Sequence, residues 1–182
     1  TPDSRARLEA SLYAQQSVIA TVKQQKAAAE SLALQSAERS PNSAAAHLAL
    51  SFVRQSQFRL NEARDELERA VALEPSSSVA RARLAELELG FGERKKAEES
   101  AEAAIAIDPK NAYALSVLGF SLLVRSETDA ALARFKEAIA AESNNALAWL
   151  GLGLSEIKQG NLAQGRAHIE QAAQLDPAVS LY

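Results

Sequence analysis

The feature that most constrains this chain is the spacing of its prolines. Four of the five fall at positions 41, 75, 109 and 177, so two successive intervals are 34 and the third is twice that. The skipped position holds Ser143, within a turn-forming Ala-Glu-Ser-Asn-Asn stretch. A fixed period of about 20–50 residues is typical of repeat arrays, in which one supersecondary unit recurs along the chain. We call the proline interval the repeat step and predict structural units of that length.

Other columns keep the same step and indicate what the units are. A leucine column is followed by a column of small residues, and an alanine column lies further on: Leu50, Leu84, Leu118, Leu152; Ser51, Ala85, Gly119, Gly153; Ala70, Ala104, Ala138, Ala172. Two antiparallel helices approach closely only where a small residue on one leaves room for a large residue on the other. A single hairpin cannot bury both of its faces, whereas stacked hairpins can. No period-2 strand pattern is present, so we expect an all-α array of stacked hairpins.

The best-kept unit runs from 146 to 179, and it resembles the tetratricopeptide repeat (TPR) family. Six residues match the family's Trp, Leu, Gly, Gly, Ala and Pro positions: Trp149, Leu152, Gly153, Gly160, Ala172 and Pro177. The resemblance implies a right-handed solenoid of antiparallel hairpins. The chain departs from the pattern in the Trp column, which reads His47, Arg81, Leu115, Trp149, and in the Tyr column, which reads Arg54, Glu88, Leu122, Glu156.

The repeat step divides the chain into four full repeats at 44–77, 78–111, 112–145 and 146–179, with the truncated start of a further repeat at 180–182. The segment 1–43 lacks a glycine turn, and two interpretations compete. It forms either a degenerate hairpin with a turn near 22–26 or a single helix of about 36 residues, about 54 Å long. The hairpin is favoured because it hides Leu32, Ala33 and Leu34 against the next repeat. Leu8, Leu12, Ile19 and Val22 form an apolar stripe ahead of that turn.

Composition argues against several classes of function. The net charge of −3 and the mixed charges give no basic face of the kind that nucleic-acid binding needs. No apolar run approaches the ~18–20 residues of a membrane span. There is no cysteine, and His47 and His168 lie in distant repeats, so we expect no metal site, no cofactor and no catalytic triad. Methionine is absent as well, so Thr1 is not a translation start, and we expect a processed chain or a fragment of a larger TPR protein.

The resemblance also implies where a partner would bind, because the first helix of each repeat lines the concave face in this family. The corresponding groove residues here are Leu48, Phe52, Arg83, Glu86, Tyr113, Phe120, Leu147, Leu150, Leu154 and Lys158. Some members grip a peptide carboxylate with Lys, Asn and Arg. The matching columns here are instead mostly apolar or small, so that clamp is absent. A row of Phe, Tyr and Leu is typical of a groove that takes an amphipathic helix or an extended apolar segment.

We therefore expect a non-catalytic protein–protein interaction scaffold that binds another protein or peptide segment. Internal packing of the groove side chains is the competing interpretation of the same residues. The alternative function is a structural spacer or self-association module, with self-association through an uncapped C-terminal repeat. There, Ile169 and Ala173 would leave an apolar face exposed.

Overall fold

The computed structural model describes residues 2–176, and this part of the chain holds ten α-helices and no strand. The helices are α1 (Pro2–Val22), α2 (Lys26–Arg39), α3 (Ala44–Ser56), α4 (Leu60–Leu73), α5 (Ser78–Gly90), α6 (Arg94–Ile107), α7 (Ala112–Val124), α8 (Thr128–Ala141), α9 (Ala146–Lys158) and α10 (Leu162–Leu175). The prediction of an all-α repeat fold of the solenoid class is confirmed. Pro177 and the segment 180–182, which the sequence assigns to a repeat end and a further repeat, lie outside the described residues.

The repeat step reappears in the way that the helices begin. α3, α5, α7 and α9 start one repeat step apart, and each follows a side chain that caps its first turn. The Oδ1 atoms of Asn111 and Asn145 each accept a hydrogen bond at 2.9 Å from the backbone N–H three residues on. Ser43 and Ser77 do the same at 3.3 Å. These side chains satisfy backbone N–H groups that have no partner inside the helix, which fixes where each helix starts.

The turns inside the hairpins keep the step too. One residue in each turn has a positive φ, and these residues form a single column: Gln24 (56°), Phe58 (59°), Gly92 (77°), Ser126 (65°) and Gly160 (90°). In every case the next residue donates its N–H to the carbonyl five residues back, as Gln25 does to Ala20 and Asn161 to Glu156, both at 2.9 Å. This is the Schellman arrangement that ends an α-helix. The backbone therefore repeats the same turn even where glycine is missing.

Residues 2–39 form two helices, α1 and α2, rather than one long helix. They meet through small residues, because Ser17 Oγ donates to the carbonyl oxygen of Ala29 and Ser36 Oγ donates to that of Ala10, each at 2.7 Å. Such direct side-chain to backbone contacts need two helices that lie very close together. Ala33 is buried in this hairpin, whereas Leu34 stays exposed.

The chain divides into two compact units, residues 1–80 and 81–182, which are described separately. In the first unit α1 packs on α2 and α3, and α3 packs on α4. In the second unit the core forms around Phe135 of α8, which is fully buried beside α7 and α9. No described helix is both long enough and apolar enough to cross a membrane.

Glycines on α7 and α9 make room for that core. A Cβ at Gly119 or Gly151 would lie 2.7 Å or 2.1 Å from the ring of Phe135. A Cβ at Gly153 would lie 2.6 Å from the carbonyl oxygen of Gly165 on α10, and a Cβ at Gly165 would meet the carbonyl oxygen of Gly153 at the same distance. The α9–α10 contact is therefore a contact between two backbones, and neither can give way to a side chain.

We predict that Gly153→Leu lowers the free energy of unfolding by at least about 1–3 kcal/mol, the usual cost of overpacking. The reason is that the new side chain meets the backbone of α10. Gly90→Ala is the matched control, because a Cβ there has nothing within 4 Å, and we expect no loss of stability. Urea unfolding measures both variants. Equal stability of Gly153→Leu and the native chain would contradict the α9–α10 contact.

A second prediction concerns Phe58, whose backbone has a φ of 59° and whose side chain is 88% exposed. A left-handed backbone costs an L-residue about 1–2 kcal/mol, and the exposed ring contributes little packing in return. Phe58→Gly removes that strain, and the added freedom of the unfolded chain offsets about 0.4–1 kcal/mol of the gain. We expect a net stabilisation of up to about 1 kcal/mol in urea unfolding. A clear loss of stability would show that the Phe58 ring makes stabilising contacts.

Candidate functional site

The predicted groove residues of the second unit lie on three helices, and each helix presents them at helical spacing. Tyr113 and Phe120 are seven residues apart on α7, and Leu147, Leu150, Leu154 and Lys158 follow one another at intervals of three or four on α9. Such intervals place side chains on one face of a helix. Together with Arg83 and Glu86 of α5, these residues define what we call the α7–α9 face.

Arg83 and Tyr113 form the polar end of this face. Arg83 Nη1 donates a hydrogen bond to Tyr113 Oη at 2.7 Å, and the guanidinium carbon lies 4.0 Å from the centre of the tyrosine ring. The same nitrogen is 3.4 Å from Glu86 Oε2. A cation over an aromatic face is attracted by the ring's negative potential. The cluster therefore holds a half-buried cation in a fixed orientation next to apolar surface.

Burial raises the pKa of Tyr113 well above its ordinary value, and the negative charge of Glu86 adds to the effect. Arg83 acts in the opposite direction but does not overcome these two causes. The hydroxyl therefore holds its proton more tightly than that of an exposed tyrosine, so Tyr113 offers this face a neutral ring and a polar tip at neutral pH.

Phe120 is half-buried, and its ring packs edge-on against Phe135, with 5.0 Å between ring centres and 70° between planes. It also packs against the cluster formed by Leu150 and Ala172. One face of the Phe120 ring is therefore part of the core, and its remaining surface belongs to the α7–α9 face. Edge-to-face contacts of this kind stabilise aromatic pairs by about 0.5–1.5 kcal/mol beyond area burial.

The three leucines of α9 do not contribute equally to the surface. Leu150 is only 8% exposed and packs on Ala172, so it belongs to the core beneath the face and offers little surface to a partner. Leu147 is half-buried, and Leu154 is 39% exposed. Of the three, Leu154 offers the most apolar area to a partner.

Lys158 lies at the C-terminal end of α9. Its Nζ donates to the carbonyl oxygen of Leu123 at 3.2 Å and to Ser126 Oγ at 3.0 Å. These bonds tie the ammonium group to the end of α7 and to the following turn. The α7–α9 face thus has a cation at each end, Arg83 and Lys158.

Leu48 and Phe52 belong to the first unit, on α3, where both are half-buried. They are four residues apart and therefore share one face of that helix. The structure thus gathers eight of the ten predicted residues within the second unit and gives the other two a corresponding position in the first.

Two contacts between a histidine and a carboxylate were not predicted from the sequence. His168 Nδ1 on α10 lies 2.6 Å from Glu156 Oε2 on α9, beneath Trp149, whose ring centre is 5.1 Å from that of the imidazole. In the first unit His47 Nδ1 lies 2.6 Å from Glu66 Oε2 on α4. Glu156 could have predicted the second of these contacts, because it occupies the column where the family has Tyr and a buried carboxylate needs a polar partner.

These pairs connect helices within a hairpin. His47 and His168 each contact one carboxylate, and the nearby Ser155 Oγ donates to the carbonyl oxygen of Gly151 rather than to a histidine. Among residues 2–176, no cluster of three or more His, Cys, Asp or Glu is arranged to hold a metal ion. Each histidine thus joins the two helices of one hairpin through a hydrogen bond to a carboxylate.

The raised pKa of Tyr113 gives a testable consequence. An unfolded tyrosine loses its proton near pH 10, whereas folded Tyr113 keeps it, so folding stability should fall as the pH rises above about 10. We expect Tyr113→Phe to leave the tyrosinate absorbance of the native chain unchanged in an alkaline titration. In the urea-unfolded chain, the same substitution should remove one of the three tyrosine signals. A loss of signal in the native chain would mean that Tyr113 is accessible and titrates normally.

Solved structures of other proteins share this fold. The structure is similar to pilF of Pseudomonas aeruginosa, with a TM-score of 0.77 and 19% identity over 96% of this chain and 78% of that one. It is similar to MamA, with a TM-score of 0.64 and 20% identity over 96% and 95% of the two chains. It is also similar to YrrB, described as a TPR protein with an unusual peptide-binding site, with a TM-score of 0.60 and 17% identity over 93% and 88%. At these identities the likeness concerns the fold.

Sequence comparison gives the family. Among curated proteins, none matches the chain significantly. Two family profiles do match, both described as tetratricopeptide repeat, one over residues 54–119 and the other over residues 117–180. The proline spacing, the capping residues and the column of left-handed turn residues each indicate repeats in the same region of the chain. The chain belongs to the tetratricopeptide repeat family.

Proposed function

We propose that the chain is a non-catalytic scaffold that binds an apolar or amphipathic segment of another protein on the α7–α9 face. TPR folds serve as protein-interaction scaffolds, which supports the general class of function. The observation that carries the proposal is the composition of this face. Phe120 and Leu154 occupy the same position in successive repeats, and both keep surface that the core does not cover.

The ends of the face add polar recognition to this apolar surface. Arg83 is oriented by Tyr113, and Lys158 is held by α7 and its turn, so neither cation needs to lose much side-chain freedom when a partner binds. A segment with apolar residues in its middle and hydrogen-bond acceptors near its ends would complement the face. YrrB, whose fold is similar, is described as having a peptide-binding site, which supports a peptide as the class of ligand.

The non-catalytic part of the proposal rests on how the candidate reactive groups are used. His47 and His168 are hydrogen-bonded to Glu66 and Glu156. Burial and the negative charge of Glu86 raise the pKa of Tyr113, and the hydroxyl of Tyr113 accepts a hydrogen bond from Arg83. These groups contribute to packing and orientation between helices.

A structural spacer or self-association module is the second candidate. It is favoured by α10, the last described helix, where Ile169 and Ala173 are only half-buried. In that case a second copy would cover α10, and sedimentation would show a concentration-dependent dimer. A monomer at every accessible concentration would remove this candidate.

The test of the scaffold function uses a displayed library of 15-residue peptides, selected on the native chain and then measured one by one. We expect Leu154→Arg to weaken the selected peptides at least about tenfold, which corresponds to about 1.4 kcal/mol. Phe120→Arg/Leu154→Arg should abolish binding. The single variant keeps the test valid if the double variant does not fold, because Leu154 is exposed.

The matched control is Ala140→Arg/Leu162→Arg, which adds the same charge to exposed positions of α8 and α10 in the same two repeats. It should bind the selected peptides as the native chain does. Peptides that bind all three variants equally would show that the α7–α9 face is not the site.

A further inference from the structure

The first helix has the opposite arrangement to an ordinary amphipathic helix. Its buried face consists of small residues, Ala10, Ala14, Ser17 and Ala20, and this face contacts α2 and α3. Its large aliphatic side chains point away from the unit: Leu8 is 73% exposed, Leu12 53%, Ile19 54% and Val22 79%. Single exposed leucines are common on protein surfaces, but four on one stripe of one helix are not scattered.

The spacing of this stripe is that of a coiled-coil seam. Leu8, Leu12, Gln15, Ile19 and Val22 follow one another at alternating intervals of four and three, which is the alternation of a and d positions in a heptad repeat. The seam is about 21 Å long. Because α1 is already folded on α2 and α3, a helix that docks here does not have to supply the cost of forming α1. The pattern indicates a helix as the docking element.

The position of Gln15 favours a helix over a lipid surface as the partner of this seam. It lies at the centre of the seam and is exposed. A single polar residue at a core position of a coiled coil fixes the register with the partner helix. A helix that lies in a membrane interface instead presents a broad apolar face. The seam of α1 is narrow, with exposed Gln16 beside it.

The charges around the seam indicate the chemistry of the partner. Arg5 precedes Leu8 on α1, Lys23 directly follows Val22, and Lys26 begins α2 after the turn; all three are exposed. The acidic residue nearest to the seam, Glu9, is hydrogen-bonded to Arg5 at 2.9 Å and also to Arg39. At one end two arginines thus share a single carboxylate, and at the other end Lys23 and Lys26 follow one another in sequence with no acidic residue between Glu9 and Lys26.

This charge pattern disfavours a second copy of the chain. In a parallel pair of α1 helices Arg5 would lie near Arg5 and Lys23 near Lys23. In a fully overlapping antiparallel pair Lys23 would lie near Arg5, and the one nearby carboxylate, Glu9, is already shared by Arg5 and Arg39. Like charges on adjacent helices are destabilising. A helix with carboxylates at both ends of its own apolar seam matches α1 in either direction.

We propose that the exposed face of α1 is a docking site for one amphipathic helix of another protein, with an apolar a/d seam flanked by Asp or Glu at both ends. The site lies in the first unit and is separate from the α7–α9 face. Two features of the site would select its partner, namely the apolar seam centred on Gln15 and the cations near the ends of that seam.

The test uses two synthetic 21-residue helical peptides with identical Leu and Ile seams, one flanked by Glu and the other by Lys. Fluorescence anisotropy with the full chain should show the Glu peptide binding at least tenfold more tightly, with a difference that shrinks at high salt. Leu12→Glu/Ile19→Glu should remove the binding. Leu162→Glu, at an equally exposed leucine of α10, and Leu154→Arg, on the α7–α9 face, should leave it intact. The last variant separates this site from the proposed function.

Reversal of the charge at one end tests directly whether the lysines determine the preference for an acidic peptide. Lys23→Glu/Lys26→Glu should weaken binding of the Glu peptide at least tenfold and raise binding of the Lys peptide, without change in the melting temperature. Equal binding of the two peptides, or binding of neither, would overturn the proposal. So would seam-dependent dimerisation in sedimentation, or seam-dependent binding to phosphatidylglycerol vesicles in the absence of peptide binding, because the occupant would then be a second copy or a membrane.

Discussion

The close approach of paired helices at residues with little or no side chain is the constraint on which the rest of the structure depends. In the second unit, Gly153 and Gly165 bring two backbones into contact, and Gly119 and Gly151 leave the space that Phe135 fills. In the first unit, Ser17 and Ser36 reach the carbonyl oxygens of the facing helix. Packing this close fixes the rotation of each helix and so decides which residues are left to face outward.

The outward faces follow from that rotation. On α7 and α9, the glycines face α8 and α10, which turns Phe120 and Leu154 towards the surface. On α1, the small residues also face inward, and the four aliphatic side chains on the opposite stripe, Leu8, Leu12, Ile19 and Val22, are left exposed. One packing rule thus produces both surfaces for which we propose partners, and it explains why one is a mixed aromatic face and the other a narrow aliphatic seam.

Much of the fold could be predicted because the repeat is expressed in local backbone requirements. The caps at Asn111 and Asn145 and the left-handed turns at Gly92 and Gly160 depend on a few neighbouring residues, so the sequence carries them directly. The α1–α2 turn was left open because Gln24 adopts the left-handed conformation without glycine. The hydrogen bonds His47–Glu66 and His168–Glu156, and the burial of Leu150, depend on which side chains meet across helices, and spacing alone does not determine this.

The central claim is that all five described hairpins keep one register at the repeat step, including the three whose left-handed turn residue is not glycine. The most direct measurement is the one-bond Cα–Hα coupling by NMR at Gln24, Phe58 and Ser126, since this coupling distinguishes positive from negative φ. The account predicts left-handed values at these three positions and helical values at Ala20, Arg54 and Leu122 before them. A helical value at Gln24 would contradict it, because residues 2–39 would then form one continuous helix and the face of α1 would no longer be set by a hairpin.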